Sequence, residues 1–282
     1  MDIKLSVIIP LYNKSYSIVR ALDSVLSQKR SIDELIIIND GSTDESLAIV
    51  RSFFNNREVP FTVCIIDKDN EGVAATRNLG IDKARNDYIA FLDADDYWSS
   101  DFWSARYDAI LHNDACEVYS GSHYLNGKLV TPYVGEKYGI ENHFFIRSIF
   151  GSLINSSKAV FKKKVLYDSG LFPLGANVAE DLYLWINIAT NNSIFYDSNP
   201  SVYIEVQDDD SRDKRVGELP LPILKIYPKV KFSSLRVYLS FMLWKHYLRA
   251  IKTRDEKFIK SSDNILRPLD RFVINFMKVI IK

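Results

Sequence analysis

A chain of 282 residues with 47 % hydrophobic content can bury a sizeable core in one α/β domain, or in one domain plus an appendage. Its 36 basic and 36 acidic side chains cancel, but unevenly: 14 Lys/Arg and 4 Asp/Glu lie from Lys225 onward, leaving 22 and 32 in the first 224 residues. The two cysteines, Cys64 and Cys116, have no metal-ligand spacing and are too few for a disulfide framework, which fits a reducing cytoplasm.

Met1-Asp2-Ile3-Lys4 runs straight into a strand pattern, so no secretory leader is expected. Leu5–Pro10 is an apolar strand closed by proline. Ser17–Gln28 has Ile18, Leu22, Val25 and Leu26 at helical spacing. Glu34–Asn39 is apolar on both faces, as a buried parallel strand must be. Ser42-Thr43-Asp44-Glu45 matches a capping box opening the next helix. Thr62–Ile66 reads as a third strand, Gly72–Arg85 as a helix and Tyr88–Leu92 as a fourth strand. This alternation predicts a mostly parallel sheet flanked by helices.

Beyond residue 100 the pattern loosens. Helices are expected over Asp101–His112 and Glu180–Thr190, and strands over Cys116–His123, Ala159–Phe161 and Ser201–Val206. Little is legible from Leu129 to Phe150. Gln207–Glu218, with Asp208-Asp209-Asp210, reads as a polar loop. Pro220, Pro222 and Pro228 mark a boundary, which divides the chain into a body of residues 1–220 and a basic helical tail of residues 221–282. Two helices are expected in the tail, Ser233–Lys252 and Glu256–Ile281, the second interrupted by Pro268. No uncharged apolar stretch reaches about 18 residues, so no membrane-spanning helix is expected.

Ligands of a parallel α/β sheet bind beyond the carboxyl ends of its strands. The first strand leads into Leu11-Tyr12-Asn13, the second into Asp40-Gly41-Ser42 and the fourth into Asp93-Ala94-Asp95-Asp96. Three carboxylates in four positions repel each other unless a cation compensates. Residues two apart in an extended segment share a side, so Asp93 and Asp95 can face one site. Their hard oxygens suit Mg²⁺ or Mn²⁺, held together with substrate phosphates.

These segments resemble glycosyltransferase family 2, whose fold is GT-A. The resemblance is carried by Ser6-Val7-Ile8-Ile9-Pro10-Leu11-Tyr12-Asn13, Ile38-Asn39-Asp40-Gly41-Ser42-Thr43-Asp44, Asn70-Glu71-Gly72-Val73-Ala74-Ala75-Thr76-Arg77-Asn78, Phe91-Leu92-Asp93-Ala94-Asp95-Asp96 and Glu180-Asp181. It is dense over residues 1–98, thinner to about 210 and absent from the tail, which makes 1–98 the nucleotide-binding half and 99–220 the acceptor half. The resemblance implies a nucleotide-sugar donor, most simply a UDP-sugar, and a glycan or lipid-linked sugar acceptor. It implies Pro10 and Tyr12 in the nucleotide pocket, Asp40 on the base, and Arg77 near the nucleotide and diphosphate. Asp93 falls on ribose or metal, Asp95 on the divalent cation, and Asp181, beside Glu180, on the general base. Many relatives carry a histidine near residue 205. Gln207 stands in that place here, and Arg212 is a candidate clamp for the diphosphate.

The last segment, Arg271–Lys282, is apolar, cationic and too short to span a bilayer. It fits peripheral contact with the inner face of the cytoplasmic membrane, packing on the catalytic body, or an interface between copies of the chain. A non-catalytic nucleotide-sugar binding module would keep Asp40 and tolerate loss of Asp181, and the chain retains both. A receiver-like phosphoacceptor domain would not account for Glu180-Asp181. No G-x-G-x-x-G follows the first strand and no P-loop is present. Nucleic-acid binding would rest on the basic tail alone.

Overall fold

The computed structural model describes residues 3–131, 138–176, 178–205, 218–271 and 274. In chain order the first half runs β1 (Leu5–Leu11), α1 (Ile18–Leu26), β2 (Glu34–Asp40), α2 (Ser46–Phe54), β3 (Thr62–Lys68), α3 (Val73–Lys83), β4 (Tyr88–Phe91) and β5 (Tyr97–Trp98). There follow α4 (Phe102–His112), β6 (Val118–Leu125), β7 (Lys128–Val130), β8 (Tyr138–Ile140), α5 (Phe144–Ser148), a 3₁₀ turn (Ser156–Lys158), β9 (Val160–Lys162) and α6 (Lys163–Asp168). The chain continues through α7 (Glu180–Asn191), β10 (Ile194–Ile204), α8 (Leu221–Lys225), α9 (Ser234–Thr253) and α10 (Glu256–Asp263).

One sheet has the order β3-β2-β1-β4-β9-β6-β10-β5, with β7 added to β6 and β8 to β10. The first four strands are mutually parallel, and β6 and β10 run parallel to each other. The antiparallel members, β5, β7, β8 and β9, are short. The order turns back on itself between β1 and β4, the topological switch point where such sheets open a crevice.

Strand residues alternate between two cores. Val7, Ile9, Leu11, Leu35 and Ile37 pack with α1, α2 and α4 on one face. Ile8, Ile36 and Ile38 share the other face with α3, α7 and buried residues of the C-terminal helices, among them Ile223, Tyr227, Leu239, Leu243 and Phe258. The described part of the tail therefore packs on the same core as the sheet. Gly80 lets α3 approach β1, because a Cβ there would lie 2.4 Å from Ile8 Cγ2.

Several local expectations give way. Ser42 does not cap α2, which starts at Ser46 without a side-chain cap. Instead Ser42 Oγ accepts the Asn13 N–H at 3.1 Å, and Asp44 accepts the N–H groups of Ser15 at 3.1 Å and Ser46 at 2.9 Å. Ser42 and Asp44 thus bond across to the loop after β1, Asp44 keeping one bond to the first residue of α2, and so fasten the β1 and β2 exits together. β10 begins well before Ser201, since bulges on either side of Pro200 let a proline sit inside a strand. The illegible stretch 129–150 holds β7, β8 and α5, elements too short to show a period. α10 stops at Asp263, and a new helical run begins at Pro268, the first-turn position where a missing N–H costs nothing. Gln207, Arg212 and Asp208-Asp209-Asp210 lie outside the described residues.

Candidate active site

The strand ends, the loop before β9 and the start of α7 enclose a cleft of about 730 Å³. Pro10, Tyr12, Asp40, Arg77, Asp93, Asp95, Glu180 and Asp181 all line it. Residues up to 171 positions apart in sequence thus meet because five separate segments end at one edge of the sheet.

Asp40, the last residue of β2, is buried. Its carboxylate accepts the backbone N–H groups of Glu71 at 2.9 Å and Gly72 at 3.0 Å, and pairs with Lys68, its register partner on β3. Burial alone would raise its pKa, but the Lys68 and backbone hydrogen bonds outweigh that and hold it below the usual carboxylate range. Asp40 thereby fixes the Asn70–Gly72 loop against the cleft. Gly41, at φ +68°, passes so near that loop that a Cβ would meet the Asn70 nitrogen at 2.8 Å.

Arg77 projects from α3, buried, and donates to Asp93 Oδ1 at 2.7 Å. Burial opposes its charge, yet Asp93 first, and then Asp181 and Glu180, raise its pKa above the ordinary arginine value. It is the shared cation of three carboxylates from two segments. Glu180 and Asp181 open α7 directly after Ala179, whose φ of 60° is uncommon for a residue with a Cβ. Glu180 is buried and Asp181 half-buried. Their negative charge lies at the positive end of the helix. Tyr238 of α9 reaches this region: burial, and next the Asp181 charge, push its hydroxyl up to about 12.

Across the cleft, Lys14 Nζ stands 2.8 Å from Asp95. Arg20 donates to the Asp95 carbonyl at 3.0 Å and to Glu205 at 2.6 Å. Asp96 is buried and accepts from Ser157 Oγ at 2.5 Å, while that same Oγ accepts the Asp93 N–H at 3.1 Å. Burial first, then the Asp93 charge, push Asp96 up to about 8. Among the described residues no cluster of three His, Cys, Asp or Glu forms a protein-only metal cage. The donor set does fit a hard cation held by one or two carboxylates and completed by ligand phosphates, with Asp95 and Asp93 facing the cleft.

Residues 6–166 match the profile described as Glycosyl transferase family 2. The chain belongs to this family. It is 34 % identical over 197 residues to a glycosyltransferase of Rickettsia felis, covering 68 % of this chain and 31 % of that protein. It is 26 % identical over 217 residues to glycosyltransferase GlyA of Streptococcus pneumoniae, covering 72 % and 30 %. The chain thus spans about a third of the length of these curated relatives. Among solved structures it superposes on S. aureus TarS with a TM-score of 0.65 at 22 % identity, over 87 % of this chain and 44 % of that one. The truncated TarS complex with UDP-GlcNAc gives 0.64 at 20 % identity, over 87 % and 73 %. The fold is that of the GT-A glycosyltransferases, with added C-terminal helices.

Several residues that line the cleft or brace its walls were not expected from the sequence of this family 2 member. Lys14 and Lys68 carried a readable signal, a lysine just past β1 and one across the ladder from Asp40. Asn155, Ser156 and Ser157 carried none, because their segment is an isolated 3₁₀ turn. That turn is anchored by Lys158, which is fully buried and donates to the Ser152 carbonyl. Its own carbonyl accepts from Arg106 at 3.2 Å. Burial first, then the Arg106 charge, bring the Lys158 ammonium down to about 7. Between that value and the unfolded 10.5, Lys158 binds more proton in the unfolded chain than in the folded one, so its own contribution to stability climbs as pH rises through this window. We expect Lys158→Met to flatten that climb in urea titrations at successive pH values. An unchanged slope would mean that the amine titrates normally.

Proposed function

We propose that the chain is an inverting glycosyltransferase that moves a hexose or N-acetylhexosamine from a nucleoside-diphosphate sugar to an acceptor hydroxyl. The observation that carries the reading is the meeting of Asp40, Asp95 and Asp181 in one cleft. Family membership supports it, and the UDP-GlcNAc bound by TarS favours a UDP-sugar donor. A glycan or lipid-linked sugar is the acceptor that suits assembly of a bacterial surface polysaccharide or glycolipid.

In this reading Pro10 and Tyr12 flank the base and ribose, and Asp40 orders the Asn70–Gly72 loop while accepting from the base. Asp95, with Asp93, would hold a Mn²⁺ or Mg²⁺ ion. Such an ion, when bound, neutralises charge that builds on the departing diphosphate. Asp181 removes the acceptor proton as the hydroxyl attacks the anomeric carbon. The new bond forms on the face opposite the breaking one, so the anomeric configuration inverts. Arg77 holds Asp93 in place and sets a positive charge near the start of α7, where Asp181 acts as the base. Lys14, released from Asp95, is positioned to meet the diphosphate.

Asp95→Asn should weaken Mn²⁺-dependent UDP binding by an order of magnitude or more (about 10-fold per 1.4 kcal/mol) in calorimetry, while leaving cation-free UDP binding nearly intact. Lys14→Met should move Mn²⁺ affinity the other way when no nucleotide is present, because the competing ammonium is gone. Equal Mn²⁺ dependence in wild type and Asp95→Asn would refute the ligand role.

A further inference from the structure

The outer side of the C-terminal helices presents a surface that sugar transfer does not use. From Lys225 to Arg254 the sequence has eight Lys or Arg and no Asp or Glu. One of the eight, Arg236, is buried and pairs inward with Asp270 at 3.2 Å. Lys225, Lys229, Lys231 and Lys245 are exposed. Among them Phe232 is 86 % exposed, the most open large hydrophobic side chain among the described residues, and Val237 and Phe241 are exposed as well.

Val237, Phe241 and Lys245 follow at intervals of four, so they form one stripe along α9. Phe232 and Lys231 sit at the entrance of that helix, where Ser233 Oγ caps the Arg236 N–H at 3.3 Å. The preceding turn is held firmly. Arg267 donates to the carbonyls of Tyr227 and Pro228, each at 2.9 Å, and of Val230 at 3.3 Å. A presented phenylalanine on a fixed turn, with apolar neighbours and flanking lysines in a stretch of sequence that holds no acid, has the make-up of an interfacial membrane element. A second copy of this chain is a poorer occupant, since a two-fold contact would set like charges against each other.

We propose that Phe232, Val237 and Phe241, with Lys229, Lys231 and Lys245, seat the protein on an anionic lipid surface. The inference does not rest on the donor reading. It concerns a different element from the terminal segment after Arg271, most of which lies outside the described residues. The opposite, buried side of α9, with Leu239, Leu243 and Ala250, packs on the core of the body.

The test is co-sedimentation of the full chain with phosphatidylglycerol-containing vesicles and with pure phosphatidylcholine vesicles. Wild type should pellet with the anionic vesicles and be released by high salt. Each cation removed should weaken partitioning roughly fivefold (about 1 kcal/mol per basic residue), so Lys229→Glu/Lys231→Glu should pellet poorly. Phe232→Ser/Phe241→Ser should do the same without changing salt sensitivity. Both double variants should keep the wild-type circular dichroism and UDP-induced thermal shift. The proposal falls if the variants pellet like wild type, if phosphatidylcholine vesicles bind equally, or if light scattering shows the variants splitting a dimer while vesicle binding is unchanged.

Discussion

Asp181→Asn should lower turnover by about 10²–10⁴-fold, the usual contribution of a positioned base, while donor affinity stays within a few-fold of wild type. The separation of the two effects follows from geometry. Asp181 opens α7 on one wall of the cleft, whereas Asp40 and Asp95 approach from β2 and β4. An amide is nearly isosteric with the carboxylate and can still accept the Leu182 N–H, which Asp181 Oδ1 accepts at 2.7 Å, so the start of the helix is preserved. Steady-state transfer measured beside UDP-sugar calorimetry reads both quantities on the same protein. Turnover within threefold of wild type would remove Asp181 from the role of base and leave buried Glu180 as the next carboxylate to test.

Arg77→Met should destabilise the fold by about 2–3 kcal/mol in urea denaturation. That is below the ~3–5 kcal/mol for breaking a fully buried pair, because the Asp93 side chain is 34 % exposed. The physical cause is the charge left behind: Asp93, Glu180 and Asp181 would face one another without their common cation. Arg77→Lys should recover part of the loss, since it restores charge but not the planar fork. In both variants transfer should fall further than stability accounts for, because Asp93 and the start of α7 lose their relative placement. A loss below about 0.5 kcal/mol for Arg77→Met, the scale of an ordinary surface change, would mean that the arginine holds nothing together.

The first hundred residues were legible because each element there obeys one rule at a time. β2 is apolar from Leu35 to Ile38, α1 keeps helical spacing, and the acidic candidates stand at or just past strand ends, so the carboxyl-end rule located Asp40, Asp93 and Asp95 without any knowledge of contacts. Glu180-Asp181 was legible through the family resemblance and a helix-start pattern. What stayed hidden depends on long-range partners. Ser157 bridges Asp93 and Asp96 from 64 and 61 residues away, and a serine in a three-residue turn shows no period. Arg77 was expected in the nucleotide cleft and lines it, but its pairing with Asp93 was hidden, because sequence locates a cation on a helix without telling which carboxylate it meets. The capping motif at Ser42 misled for a similar reason: its hydroxyl found the Asn13 N–H across the cleft edge before it could serve its own helix. The C-terminal helices stood out in the sequence as a basic tail by charge, and charge alone does not tell that their buried residues share a core with α7.

The proposed transfer needs a divalent cation and a sugar-nucleotide diphosphate to share the cleft that Asp40, Asp95 and Asp181 line. The most direct measurement is an anomalous difference map from crystals grown with Mn²⁺ and UDP. It should show one manganese peak beside the Asp95 carboxylate, with uracil near Asp40 and the diphosphate between them. A map with UDP bound elsewhere, or with manganese lying away from Asp95, would contradict it.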